Sequence, residues 1–320
     1  MPLKPLEAVR LIRRLSPKAI VELNKLARES LQTRGGRAGS GLGSLLEALW
    51  GFFVNSELKT DAKGAGIELA WFPDHAYNDF ACVFADAAWD PATKKGELLR
   101  IETKSMYLAA DESKAHFDAL LSELDEHDVL VVLVWDWLPV PGESKHPRVA
   151  PTVVGSFVGS AVEIARFRDA LHLARGGSFV QSPCPDGKGH ACSHIGEPLN
   201  ADGKRERRTG PESRKPASAS YAANFGGLVR MLKTNSVVAR DAFREWRAKS
   251  DDVHDFVCFM HQQYPREEMN QYLLDEWRHC AKTLGLGNYE RLSSSCQEVC
   301  KRRQAARSSR VGVRTRIPSQ

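Results

Sequence analysis

Between Tyr77 and Leu138 this chain alternates apolar runs of strand length with turn signals, an order that suits a sheet of neighbouring strands. Asp79 opens the apolar run Phe80-Ala81-Cys82-Val83-Phe84. Asp90-Pro91 and Gly96 supply turn chemistry, and Leu98 to Thr103 alternates as a half-buried strand does. A side-chain period of two puts Arg100, Glu102 and Lys104 on one face and Leu99, Ile101 and Thr103 on the other. A carboxylate and an amine thus emerge side by side at the end of one strand, and Asp79 brings a second carboxylate from the neighbouring strand. The triplet alone carries little, since Glu57-Leu58-Lys59, Asp61-Ala62-Lys63, Glu112-Ser113-Lys114, Glu143-Ser144-Lys145 and Asp202-Gly203-Lys204 repeat it. None of those ends an alternating apolar run that follows a hairpin carrying an acid. An ordinary ion pair on a solvated strand face is the plain alternative for Glu102 and Lys104.

The set Asp79 with Glu102-Thr103-Lys104 resembles the PD-(D/E)XK nuclease superfamily, and within it the type II restriction endonucleases. The resemblance covers about Gly39 to Ala174. It implies Asp79 and Glu102 as ligands of Mg2+, with the backbone carbonyl of Thr103, and Lys104 as the residue acting on the attacking water and the phosphate. The superfamily often carries a glutamate on a preceding helix, and Glu47, on the first turns of the helix opened by Gly39-Ser40-Gly41-Leu42-Gly43, is carried over in that role. The literal Pro-Asp pair is Pro73-Asp74, five residues before Asp79; Asp79 is preferred because it abuts the strand, whereas Pro73-Asp74-His75 reads as loop. The chemistry fits these residue types. A phosphodiester repels nucleophiles, so hydrolysis wants a hard cation held by one or two carboxylates, and a nearby amine to orient or deprotonate water and offset charge on phosphorus.

Helical signals flank these strands. Ser16-Pro17 reads as an N-cap with proline at the first helical position, with Ile20, Leu23, Leu26 and Leu31 as the apolar stripe through Glu29. A second helix spans Ser40 to Glu57, Ala109 to Glu126 is amphipathic through Phe117, Leu120, Leu121 and Leu124, and Asp128 to Leu138 reads as a central buried strand. Pro151 to Phe157 supplies a further strand and Ala161 to Ala174 a helix. The expected class is α/β (α+β), a central mixed sheet flanked by helices in the order α-β-β-β-α-β, which is the restriction-endonuclease-like core the resemblance implies, with an α-helical C-terminal subdomain.

The expected organisation is an N-terminal helical segment (1–38), the core (39–178), a basic loop or linker (179–220), a helical subdomain for DNA recognition or dimerisation (221–290) and a basic tail (291–320). The linker holds Lys204, Arg205, Arg207 and Arg208, and the helical segment Arg240 and Arg244, as candidate phosphate contacts; a solvated charged linker is the alternative. Cys184, His190, Cys192 and His194 could hold a structural zinc, but the paired Cys-x2-4-Cys spacing is missing and a loop with incidental Cys and His is the favoured reading. From Lys301 onward there are seven basic residues and no acid against a net charge of +5, so the rest of the chain is slightly acidic.

A content of 42% hydrophobic residues supports a large core and excludes disorder throughout. The strongest apolar run, Val129 to Val134, is far too short to span a bilayer, and seven cysteines without framework spacing suit a reducing cytoplasm. The expected activity is that of a type II restriction enzyme. It implies Mg2+-dependent hydrolysis of double-stranded DNA at a short specific sequence by a homodimer, with a cognate DNA methyltransferase as genetic rather than physical partner. The alternatives are another nuclease of the superfamily (nicking, repair, transposition or modification-dependent), a non-catalytic DNA-binding module, and a zinc-organised regulator.

Overall fold

Helix α1 (Pro5–Ser30) begins with proline in its first turn and with the Glu7 carboxylate accepting the Lys4 N–H at 3.0 Å. Its buried residues, Ala8, Leu11, Ile12, Leu15, Ala19, Leu23 and Ala27, recur every three or four positions and form one stripe. Ser16-Pro17 therefore does not start the helix. Ser16 is fully buried in mid-helix, where its Oγ accepts the indole N–H of buried Trp50 at 2.9 Å, while Pro17 stands on the solvent side. The need of a buried tryptophan for an acceptor explains this serine, which capping logic alone misreads.

The structure, a computed structural model, describes residues 3–34, 40–72, 78–108, 115–140, 148–179, 198–199, 225–232 and 237–263, all within Met1–Gln263, the first of two compact units into which the chain divides. Helix α2 (Ser40–Thr60) leads into β1 (Ile67–Trp71), β2 (Phe80–Phe84) and β3 (Glu97–Tyr107). Then come β4 (Val129–Val140), β5 (Arg148–Ser160), α3 (Ala161–Ala174), a two-residue pair β6 (Ser178–Phe179) and β7 (Pro198–Leu199), α4 (Val237–Lys249) and α5 (Asp251–Gln263). The five long strands lie in sequence order, antiparallel except for the parallel pair β3–β4. β4 is buried on both faces from Val129 to Trp135, as its unbroken apolar run requires. Helices α1 and α2 pack with Leu69, Phe80, Ile101, Val131 and Leu133 on one side of the sheet, while α3 contacts β4 and β5, α5 contacts β5, and α4 lies against α3 and α5. The chain is thus a mixed α/β fold. Strand β1 is an addition to the strands assigned from sequence.

The segment expected as a helix from Ala109 to Glu126 is extended where it is described, with one 3-10 turn at Leu121–Glu123. Tertiary partners outbid the amphipathic pattern. Phe117 N–H bonds Gly226 C=O at 2.8 Å, Leu228 N–H bonds Ala115 C=O at 3.1 Å, and Arg168 Nη1 donates to the carbonyls of Phe117 and Ala119. Gly226 is required there, because a Cβ would lie 2.5 Å from the Phe117 carbonyl oxygen. Of the segment 221–290, the described part is a 3-10 turn at Arg230–Leu232 and the helices α4 and α5; residues 264–290 lie outside the described residues. Among the described residues no helix is long and apolar enough to cross a membrane, and Cys82 and Cys258 are free thiols.

Both edges of the sheet are closed by the same device. The side-chain amide of Asn55 on α2 donates to Leu69 C=O and accepts Leu69 N–H, at 2.9 and 2.6 Å. Asn24 on α1 does the same for Val153 on β5, at 2.9 and 2.8 Å. Along β5, Thr33 pairs with Val149 and Pro151 has no N–H to offer. Each asparagine replaces a missing strand, so neither edge offers those groups to another chain. Asn24→Ala leaves two buried backbone groups unpaired and is expected to lower stability by about 2–4 kcal/mol. The check is a fall in the urea midpoint at unchanged slope.

Candidate active site

The site forms where β3 outruns β2. Pairing between them starts at Phe80 opposite Ile101, so the edge of β3 beyond Ile101 lacks a strand partner on that side. Acids take its place. Asp79 Oδ2 accepts both the N–H and the hydroxyl of Thr103, at 2.7 and 2.6 Å, and Glu47 Oε1 accepts the N–H of Ser105 at 2.6 Å. Asp79 is itself anchored by its N–H to the Ile101 carbonyl at 3.1 Å. Because N–H and C=O of a strand residue point the same way, the Thr103 carbonyl faces the edge occupied by Asp79.

Glycine brings α2 close enough for this. A Cβ on Gly43 would lie 2.3 Å from Ser105 Oγ, and one on Gly51 would lie 2.5 Å from the Phe80 ring. Glu47 sits one turn from each, on the face applied to β3. Ser105 and the Thr103 hydroxyl are site residues that the motif does not mark. Their only sequence signal is that positions 103 and 105 share the strand face with Ile101.

Glu102 and Lys104 emerge on the other face of β3, as alternation requires. Lys104 Nζ and Glu102 Oε1 are 2.5 Å apart, and Glu102 is 7% exposed, with Oε2 lacking a hydrogen-bond partner among the described residues. Burial is the main influence on this acid and pushes its pKa up to about 8, against the attraction of Lys104 and with repulsion from Asp79 and Glu47. Glu47 is also raised, chiefly by burial and then by the charge of Asp79. Burial acts to lower Lys104, but the charges of Glu102, Asp79 and Glu47 outweigh it and hold the ammonium above its ordinary range. One ammonium thus faces three carboxyl groups. The excess negative charge favours retention of a proton near neutrality, and the ammonium keeps its own.

A raised carboxyl pKa means the folded chain holds a proton that the unfolded chain has lost. Stability is therefore fully present below about pH 4.5 and declines as pH rises toward 8, by on the order of 1 kcal/mol per pH unit for this group. Glu102→Gln, which cannot ionise, is expected to flatten that decline. Thermal melts of both proteins without divalent ions, from pH 5 to 9, should show the variant gaining on the wild type as pH rises; parallel curves would mean Glu102 is ionised throughout.

The structure brings Asp79, Glu102, Lys104 and Glu47 into one electrostatically coupled cluster. Asp74 lies outside the described residues, as do Cys184, His190, Cys192, His194, Lys204, Arg205, Arg207 and Arg208. Arg240 and Arg244 are exposed on α4, with Arg244 paired to Asp241 at 3.3 Å. Among the described residues no three His, Cys, Asp or Glu side chains are arranged to hold a metal unaided. The donors nevertheless fit a hard cation. Both hydrogen bonds to Asp79 reach the same oxygen, a buried Glu102 oxygen is without a partner, and Mg2+ takes one or two carboxylates with water and substrate oxygens. Comparison with protein-family models, curated proteins and solved structures finds no match to this chain.

Proposed function

We propose that this chain is a Mg2+-dependent endonuclease that hydrolyses phosphodiester bonds of double-stranded DNA, with the active site at Asp79, Glu102, Lys104 and Glu47. The observation that carries the reading is the cluster of three carboxyls around one ammonium, half-buried apart from the buried Glu102, of which one oxygen is left without a partner among the described residues. Such a group costs stability, and apolar residues would fill the space at lower cost. A divalent cation on Asp79, Glu102 and the Thr103 carbonyl would supply charge neutralisation and a bound water of lowered pKa.

The residues divide the remaining work. Asp79 is oriented through Oδ2 by Thr103, and neither of those hydrogen bonds uses Oδ1. The charges of Glu102, Asp79 and Glu47 favour the protonated form of Lys104, which suits it to hold the phosphate and offset charge on its oxygens in the transition state. Glu47, fixed by Ser105, adds negative charge that keeps the lysine charged and favours a cation over a proton.

The sheet order, with β1–β2–β3 antiparallel and β4 parallel to β3, is compatible with a restriction-endonuclease-like core; the type II reading, a homodimer cutting a short specific site with a cognate methyltransferase as genetic partner, is proposed on the resemblance of the motif alone. A second reading is favoured by the hydrogen bonds themselves. Asp79 and Glu47 complete the free edge of β3, which a non-catalytic DNA-binding module would also need. The two are separated by incubating the purified chain with methylated and unmethylated phage DNA, with Mg2+ or with chelator. Metal-dependent cutting is expected; duplex binding that survives chelation, with no cutting in any divalent ion, would support the binding module.

A further inference from the structure

Arg247, near the end of α4, is a half-buried guanidinium that reaches no carboxylate among the described residues. Its Nε donates to His254 Nδ1 at 3.1 Å and its Nη2 to Cys258 Sγ at 3.7 Å, both weaker acceptors than a carboxylate. Arg13, Arg14, Arg100 and Arg166 each meet an acid at 2.6 to 2.8 Å, so the fold pairs arginines readily elsewhere. The acids of α5 do not serve Arg247. Asp252 is taken by Arg13 and by the Ser160 N–H, and Asp251 and Asp255 form no ion pair with it.

Because His254 Nδ1 accepts from Arg247, the ring proton sits on Nε2, 3.6 Å from Cys258 Sγ. The guanidinium is thus held in place from α5, and its remaining N–H groups have no acceptor among the described residues. His261 lies one turn beyond Cys258 on the same face of α5, 6% exposed, with neither ring nitrogen bonded among the described residues. Burial, and then the charge of Arg247, bring its pKa down to about 4, so this ring is neutral and does not offset the guanidinium. Arg240, Arg244 and Arg247, four and three residues apart, share one face of α4 over about 10 Å, and exposed Arg240 has no ion-pair partner among the described residues. A guanidinium fork fits two oxygens of a phosphate, and a row of such charges binds a phosphate backbone by releasing its counterions. We propose that Arg247, held by His254 and Cys258, is a phosphate-binding site, and that the α4 face of Arg240, Arg244 and Arg247 seats the sugar–phosphate backbone of a nucleic acid. The site is separate from the acid cluster and does not depend on the nuclease reading.

The test uses the full chain in chelator, so that no DNA is cut, with fluorescence anisotropy on a labelled duplex from about 50 to 200 mM salt. Arg247→Met keeps the apolar stem and removes the fork, Arg247→Lys keeps the charge, and Lys18→Met removes one exposed charge from α1 as a control. Arg247→Met is expected to lose roughly fivefold or more in affinity and to lower the salt slope by about one, with Arg247→Lys recovering part and Lys18→Met changing neither. Melting temperatures establish that each variant is folded; if Arg247→Met is not, Arg240→Met tests the same face and should lower the slope by about one. Equal losses for Arg247→Met and Lys18→Met would overturn the proposal, since they report net charge alone. So would an unchanged slope in a folded Arg247→Met, which makes Arg247 a clasp between two helices. Inorganic phosphate separates the sources: if it raises the melting temperature of wild type but not of Arg247→Met, while duplex affinity is the same in both, the ligand is a small phosphate compound and the backbone assignment falls. Duplex cutting in Mg2+ is read separately, so either proposal can fail alone.

Discussion

Asp79→Asn is expected to lower Mg2+-dependent cleavage by about a thousandfold or more while leaving the protein folded. The asparagine can still accept the Thr103 N–H and hydroxyl through one oxygen, so the local geometry of β3 survives. What is lost is a negative charge beside Glu102. Charge stabilisation at a metal and its bound water is worth several kcal/mol of barrier, and each ~1.4 kcal/mol is tenfold in rate. Asp79→Ala is the harsher change, because it also strands the buried Thr103 N–H, at about 1–3 kcal/mol of stability. Single-turnover rates and melting temperatures separate the two contributions. A variant Asp79→Asn that cuts at the wild-type rate would move the metal ligand elsewhere, with Asp74 the first alternative.

The largest effect on folding is expected at Arg168, which is not among the cluster residues. Its side chain is 1% exposed on α3, donates Nε to Asp169 at 2.8 Å and Nη1 to the Phe117 and Ala119 carbonyls at 2.7 and 2.8 Å, and stacks 4.4 Å over the Phe225 ring. One guanidinium thus secures the extended segment 115–120 and the turn around Phe225 to α3. Arg168→Met removes a buried charge and leaves the Asp169 carboxylate and two carbonyls short of a donor, a loss of about 3–5 kcal/mol. Arg168→Lys keeps the charge but cannot reach three acceptors in a plane, so it should fall between. Urea midpoints of the three proteins test the order; a methionine variant as stable as wild type would show that hydrophobic packing alone holds the segment.

Local patterns in the sequence carried the sheet well where they had no competitor. The alternation of Leu98 to Thr103 and the unbroken run of β4 read directly as a half-covered and a central strand, and the face shared by Glu102 and Lys104 followed from period two. Patterns failed where tertiary partners set the structure. Ser16-Pro17 has the grammar of a helix start, yet Ser16 answers the indole of Trp50 thirty-four residues away. Phe117, Leu120 and Leu124 have helical spacing, yet Arg168 and Gly226 hold that stretch extended. The same holds at the site. Asp79, Glu102 and Lys104 are marked by position relative to strands, and Glu47 by its place on the preceding helix, whereas Ser105 becomes visible only when α2 is laid against β3. Asn24 and Asn55 carry no local signature at all, because each is defined by the strand edge it completes.

Lys104 is the residue whose loss tests the nuclease activity most directly. Wild type and Lys104→Ala, each melting at its own measured temperature above the assay temperature, should be incubated with phage DNA and with a mismatched duplex at saturating Mg2+ and in chelator. The charged lysine at 2.5 Å from Glu102 predicts metal-dependent cutting by wild type and a loss of at least about a hundredfold in the variant. Cutting that persists at the wild-type rate in Lys104→Ala would contradict it, because the acid cluster would then be a structural cap on the edge of β3 and the chemistry would lie elsewhere.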